Sequence, residues 1–450
     1  MSWADRKREE LLAKLSAIER ELAFWQAQAR EDALLEKHQS QIARLANQLQ
    51  PVAKQVSGKI KTADLRTEWT TLEIQVLDLH KIWQFFREKL ALRFVSHFGG
   101  YLLAADEFAW ECYRPAQEAL VGAGALDRSQ VKEPPLVCFS SVASPFSIAR
   151  GVSYLGELAG GSPRDQAARA IVESLPIPVV AVPWYQIQHL PDALVLGHEV
   201  GHVVERDAQI EEHVRQLILG VVRGTEKCYG TEDDWRRWSS EAFADVYGTL
   251  CGGPAFVSAL SDFLLVPVAR RPAGTSGYPP ANVRLALVME VLRTVAATGA
   301  TDGAGGGKLI GALEERWSEE GVNTHQANEV PAIAAAIVDS RYGQFGNSRL
   351  ADVIAFNGKQ MRTTASALLN DDPTGNPDVR TLLAAAAWAY ADRPQEYHAT
   401  DVPSRVLQQA LAIIKPGVRE TRVMRTSERA EVDSLAAAKL HELLIQGSLA

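Results

Sequence analysis

Leu196-Gly-His-Glu-Val-Gly-His202 is the stretch from which the rest of this chain is read. On a helix, His198 and His202 lie one turn apart, so both imidazoles leave the same face. Two imidazoles on one face can share a metal ion, and Glu199 beside the first is in reach of a water on that ion. The flanks suit a helix. Asp192, after Pro191, is the candidate N-cap, with Ala193, Leu194, Val195 and Leu196 filling the first turns. Upstream, residues 177–183 form a short apolar run punctuated by prolines, which reads as a strand.

Histidine, glutamate and histidine in this order form the HExxH arrangement of catalytic zinc sites, which take three protein ligands and leave a fourth position open. The third ligand sets the class. A metzincin carries glycine three residues and histidine six residues after the second histidine, where this chain has Glu205 and Ala208. Further on, Trp238-Ser-Ser-Glu241-Ala-Phe-Ala-Asp245-Val-Tyr-Gly248 puts Glu241 and Asp245 one helical turn apart on a shared face. HExxH followed by ExxxD resembles the gluzincin-type zinc metallopeptidases, over about residues 177–250. The resemblance implies that Glu241 completes the metal site from a second helix. It also implies that Asp245 orients a ligand histidine by accepting its other N–H. Glu241 lies 39 residues after His202, a longer spacing than the compact one of that class. Glu205 (as ligand or outer hydrogen-bond acceptor), Asp245 itself and Asp207 remain rival carboxylates.

From the resemblance follow a zincin-like catalytic domain, one zinc ion per chain, and peptide-bond hydrolysis with Glu199 as general base. A further donor must steady the oxyanion. Tyr278 and Arg284, at the opening of another apolar helix, are candidates, and so are Tyr185 and His189; His325 has no distinguishing context. Val179, Val180, Ala181 and Val182 would form the edge strand that pairs with an extended substrate, with Pro178 and Pro183 limiting the backbone bonds it offers.

The N-terminal hundred residues differ in kind. Leu11, Leu15, Ile18, Leu22 and Trp25 follow a four-three spacing, which resumes at Leu35, Ile42, Leu45 and Leu49. Pro51 and Ser57-Gly58 read as a break. A second seam runs through Leu65, Trp69, Leu72, Val76, Leu79, Trp83, Phe86 and Leu90. The pattern predicts an antiparallel coiled-coil hairpin over residues 1–98. Trp69, Trp83, Phe85 and Phe86 are bulky for a two-stranded seam, so a third surface is expected against them: the catalytic domain, a partner protein or a second copy. The fold class expected is mainly α with a small β-sheet (α+β). The zincin-like domain would span residues 99–393, and residues 394–450 would form a C-terminal helical segment packing on it. Strands are expected at 136–142 and 146–149 and helices at 101–120, 162–174 and 427–446. The glycine-rich stretch 299–308 reads as a flexible loop; Leu309 after Lys308 rules out a phosphate-binding loop.

At 450 residues the chain can hold two or three domains, and 46% hydrophobic with 23% charged residues is ordinary for a globular protein. A net charge of -8 argues against a nucleic-acid partner. No apolar run is long enough to span a membrane. Cys112, Cys138, Cys228 and Cys251 lack metal-site or redox spacing and read as reduced thiols. With no secretory core at the N-terminus, these features lead to the expectation of a cytoplasmic protein. The reading is therefore a zinc-dependent peptidase acting on a protein or peptide, with N-terminal helices that recruit a partner, self-associate or pack on the domain. The alternatives are a metal-containing scaffold without protease activity and a zinc hydrolase of non-peptide substrates.

Overall fold

The computed structural model describes residues 1–30, 33–127, 135–139, 177–182, 184, 189–264, 277–297, 303–319, 321, 327–414, 437–438 and 441–442. Among them the protein is mainly helical, with two small two-stranded sheets. The expected strand at 146–149, the helix at 162–174, most of the helix at 427–446, Tyr185 and His325 lie outside the described residues.

The chain divides into two compact units: Met1–Gly99 with Asp127–Ala181 and Lys415–Ala450, and Gly100–Leu126 with Val182–Ile414. In the first, α1 (Trp3–Gln28), α2 (Gln39–Thr62) and α3 (Leu65–Ala91) pack each against the other two. Both apolar seams are buried in one core: Leu11, Leu15, Ile18 and Leu22 from α1, and Leu72, Val76, Leu79 and Leu90 from α3. The hairpin expectation is corrected to three helices. Pro51 and Gly58 do not break the chain but lie inside α2, and the two turns fall between Gln28 and Gln39 and at Ala63–Asp64. Proline inside a helix costs about 3 kcal/mol. Val52, Val56 and Ile60, all fully buried, each return about 1.5–3 kcal/mol, so burial wins. Of the α3 aromatics, Trp69 packs edge-on against Trp3 and Trp83 against Trp25, both from α1.

After α4 (Ser96–Gly122), β1 (Leu136–Phe139) pairs with β2 (Val179–Val182). Leu136 and Ile177 are buried in the core of the N-terminal helices. The expected boundary at 98/99 falls within one residue of the division after Gly99, but Asp127–Ala181 returns to the first unit, so 99–393 is not one continuous unit, and the boundary at 393/394 is corrected. Ala437 is buried in that core as well. Residues 394–450 are thus shared between the two units, with the division at Ile414.

The second unit is organised around α8 (Glu232–Leu264), which carries Glu241 and Asp245. Before it come α5 (Leu190–Ala193), α6 (Leu196–Asp207) and α7 (Glu211–Gly224). After it come α9 (Ala281–Ala297), α10 (Gly303–Glu319), α11 (Val330–Asp339), the β3–β4 ribbon (Arg341–Tyr342, Ser348–Arg349), α12 (Leu350–Val353), α13 (Gly358–Asn370), α14 (Val379–Asp392), α15 (Pro394–Ala399) and α16 (Val402–Ile413). Helix α8 is apolar and buried nearly all round, and α6, α7, α9 and α14 pack against it. It bends at Gly253, whose φ of 57° suits glycine, directly before Pro254. The expected loop at 299–308 is corrected in part. Residues from Gly303 are helical, and α10 buries Leu313 and Trp317 one turn apart.

Candidate metal centre

Two helices build this site. The expected single start at Asp192 is corrected: the short helix α5 precedes α6, and the Asp192 carboxylate lies 3.3 Å from His189 Nδ1 instead of capping α6. Helix α6 carries His198, Glu199 and His202. Helix α8 begins with a reciprocal cap, in which the Asp234 N–H donates to Thr231 Oγ1 and the Thr231 N–H donates to Asp234 Oδ2. Glycines bring the two helices together. A Cβ at Gly201 would lie 2.9 Å from Ala244 Cα and 3.1 Å from Tyr247 Cβ, and one at Gly248 would lie 3.1 Å from the His198 nitrogen. This contact is main chain against main chain. Gly201→Leu is therefore expected to destabilise the fold by about 1–3 kcal/mol, and by more if the helices cannot part. A denaturation midpoint unchanged from wild type would refute that.

His198, His202 and Glu241 converge. His198 Nε2 lies 3.2 Å from His202 Nε2 and 3.3 Å from Glu241 Oε2, which in turn is 3.7 Å from His202 Nε2. The far side of each imidazole is also held. His198 Nδ1–H donates to Asp245 Oδ1 at 2.8 Å, and His202 Nδ1 is hydrogen-bonded to Ser240 Oγ at 3.1 Å. Each Nε2 is thereby the ring atom turned toward the Glu241 carboxylate, and it offers a lone pair there once any proton on it has left. Glu241 Oε2 is buried and takes no aligned hydrogen bond. Three such atoms at these separations need a positive charge among them, a ring proton or a metal cation. Ligand atoms about 2.0–2.1 Å from a tetrahedral ion stand about 3.3 Å apart. The donor set and its spacing therefore fit a zinc-sized cation, and among the described residues no other group of histidine, cysteine or carboxylate side chains does so.

The electrostatics agree with the geometry. Burial alone would raise the Glu241 carboxyl, but the imidazoles of His198 and His202 outweigh it and hold it well below the usual carboxylate range. Burial would lower the His198 imidazolium, but Asp245 and Glu241 outweigh it and hold its proton up to about 9. Burial lifts Glu199 to about 7, opposed by His198 and assisted by the Glu241 charge. For Asp245, burial is outweighed by Arg284, whose Nε and Nη2 donate to the two carboxylate oxygens at 2.7 Å and 2.6 Å.

The structure brings His198, His202, Glu241, Asp245 and Arg284 together, with Glu199 buried in their electrostatic reach. Arg284 gives its Nε–Nη2 edge to Asp245, for which it is the buried counter-ion. Tyr278 is half-buried ahead of α9 and close enough to raise the Arg284 guanidinium pKa. His189 packs edge-on against Tyr390 as well as facing Asp192. Among the rival carboxylates, Asp207 accepts the Tyr113 hydroxyl at 2.7 Å, and Glu205 accepts the Ser240 hydroxyl at 2.5 Å. The strand Val179–Val182 pairs with β1 and belongs to the first unit as far as Ala181.

Sequence reasoning missed Ser240 and the glycine faces. The glycines were visible beside both motifs; nothing local marks Ser240 apart from its place next to Glu241. Comparisons with models of protein families, with curated proteins and with solved structures found no match for this chain.

Proposed function

We propose that the second unit is a zincin-like catalytic domain of gluzincin type and that the protein is a zinc-dependent peptidase acting on an intracellular protein or peptide. The observation that carries this reading is the convergence of His198 Nε2, His202 Nε2 and Glu241 Oε2, with both imidazoles oriented from behind. When bound, zinc supplies Lewis acidity toward a peptide carbonyl and toward water. Glu199, not itself among the converging atoms, takes the proton from the attacking water and returns it to the leaving nitrogen. Its lifted pKa suits a group that must gain and lose a proton near neutrality. Asp245 and Ser240 keep the imidazoles aimed inward, and Arg284 keeps Asp245 ionised. Tyr278 is the candidate donor to the developing oxyanion. A scaffold holding a purely structural ion would have no use for the buried carboxyl of Glu199, which has no hydrogen-bond partner among the described residues. In support of a cytoplasmic location, all four cysteines are free thiols, and among the described residues no helix is long and apolar enough to cross a membrane.

Metal analysis of the purified full chain tests this directly. The expected result is about one zinc per chain, lost in His198→Ala and in Glu241→Ala. A wild-type protein that takes up no zinc when zinc is supplied would overturn the reading.

Zinc uptake should also depend on pH with a definite sign. Below about 9, the metal-free protein carries a proton on His198, which must leave before Nε2 can act as a ligand. Apparent affinity should therefore rise from pH 6 to pH 8, by about tenfold per unit for each proton released. Competition with a chromogenic chelator at both values measures it, and a flat profile would contradict the proton assignment.

A further inference from the structure

Each imidazole of the candidate centre has a carboxylate behind it, reached by a different route. His198 meets Asp245 directly, whereas His202 meets Ser240, whose hydroxyl donates to Glu205 Oε2 at 2.5 Å. Glu205 is 2% exposed, and its other oxygen, Oε1, has no hydrogen-bond partner among the described residues. Among the described residues no ammonium or guanidinium is in ion-pair contact with it. A buried carboxylate held by one hydroxyl is costly to keep for packing alone.

The direction of the chain of bonds explains its use. Because the Ser240 O–H points to Glu205, the Ser240 oxygen must accept, and the group placed to donate is His202 Nδ1–H. That leaves the His202 Nε2 lone pair aimed at Glu241. All three residues come from the same two helices: Glu205 lies one turn after His202 on α6, and Ser240 immediately precedes Glu241 on α8.

We propose that Glu205, acting through the Ser240 hydroxyl, is a positioning residue that fixes the tautomer and aim of His202 and strengthens its hold on the metal. This rests on the metal-site reading above and extends it from the ligands to a relay behind the second one. Loss of such an outer partner lowers metal affinity by about 10- to 100-fold.

The test is the zinc affinity of the full chain and of three variants, by chelator competition, with the visible absorption of the cobalt-substituted protein as a second readout. Circular dichroism establishes that each variant is folded. Ser240→Ala and Glu205→Gln should each weaken binding by about tenfold or more and alter the cobalt spectrum. Ser240→Thr, which keeps the hydroxyl, should restore both. Because the two residues act in series, the double variant should bind no worse than the weaker single one. If Glu205→Gln fails to fold, Ser240→Ala against Ser240→Thr decides alone. Wild-type affinity in a folded Ser240→Ala, or losses that multiply in the double variant, would overturn the relay while leaving the metal centre standing. A wild-type chain that binds neither zinc nor cobalt would remove the metal reading itself.

Discussion

Glu199→Gln is expected to keep its zinc and lose about 10²- to 10⁴-fold in peptide hydrolysis. The amide has nearly the shape of the carboxylate, so the packing of α6 against α8 survives. It cannot accept a proton from water. The proposed ligand atoms are those of His198, His202 and Glu241, so metal content should match wild type within error. A peptide library read by mass spectrometry supplies a substrate whatever the natural target is. The wild-type pH profile carries a second signature. Burial holds Glu199 at about 7 in the metal-free chain, and a bound cation pulls that value down. As a base it must be ionised, so turnover should rise with pH and level off at or below about 7. Full activity in a zinc-loaded Glu199→Gln protein would refute its role.

The largest expected effect on stability comes from Asp245→Ala. Asp245 is fully buried and Arg284 nearly so, and they share two hydrogen bonds. Removing the carboxylate strands a guanidinium in the interior, which costs about 3–5 kcal/mol. It also frees the His198 ring, for a further loss of about 10- to 100-fold in metal affinity. Urea unfolding in the presence of a chelator isolates the first contribution, since no metal then stabilises either protein. A change below about 1 kcal/mol under those conditions would show that the buried pair is not what holds α8 against α9.

The ligand spacing was legible in the sequence because helical periodicity converts a separation of four residues into a shared face, whatever the fold around it. His198 with His202 and Glu241 with Asp245 are both of this kind. Arg284 was legible only as a charged residue near the start of a helix. Its partner lies 39 residues away, so the choice between oxyanion donor and buried counter-ion depends on how α9 packs against α8. The same limit applies to Pro51. A local rule ends the helix there, whereas the apolar row continuing through Val52, Val56 and Ile60 carries it on, and only the three-helix core shows that the row is buried. Glu205 was recognised as a possible acceptor, but its route through Ser240 joins two helices and leaves no trace in either one's periodicity.

The touching backbones at Gly201 and Ala244 leave no slack between the elements that carry the histidines and the glutamate. A side chain can adopt another rotamer to meet a larger guest, but a helix pressed against its neighbour can only slide or tilt as a whole. At the proposed centre, discrimination between ions by radius would thereby be vested in the main chain, upstream of any choice of donor atom.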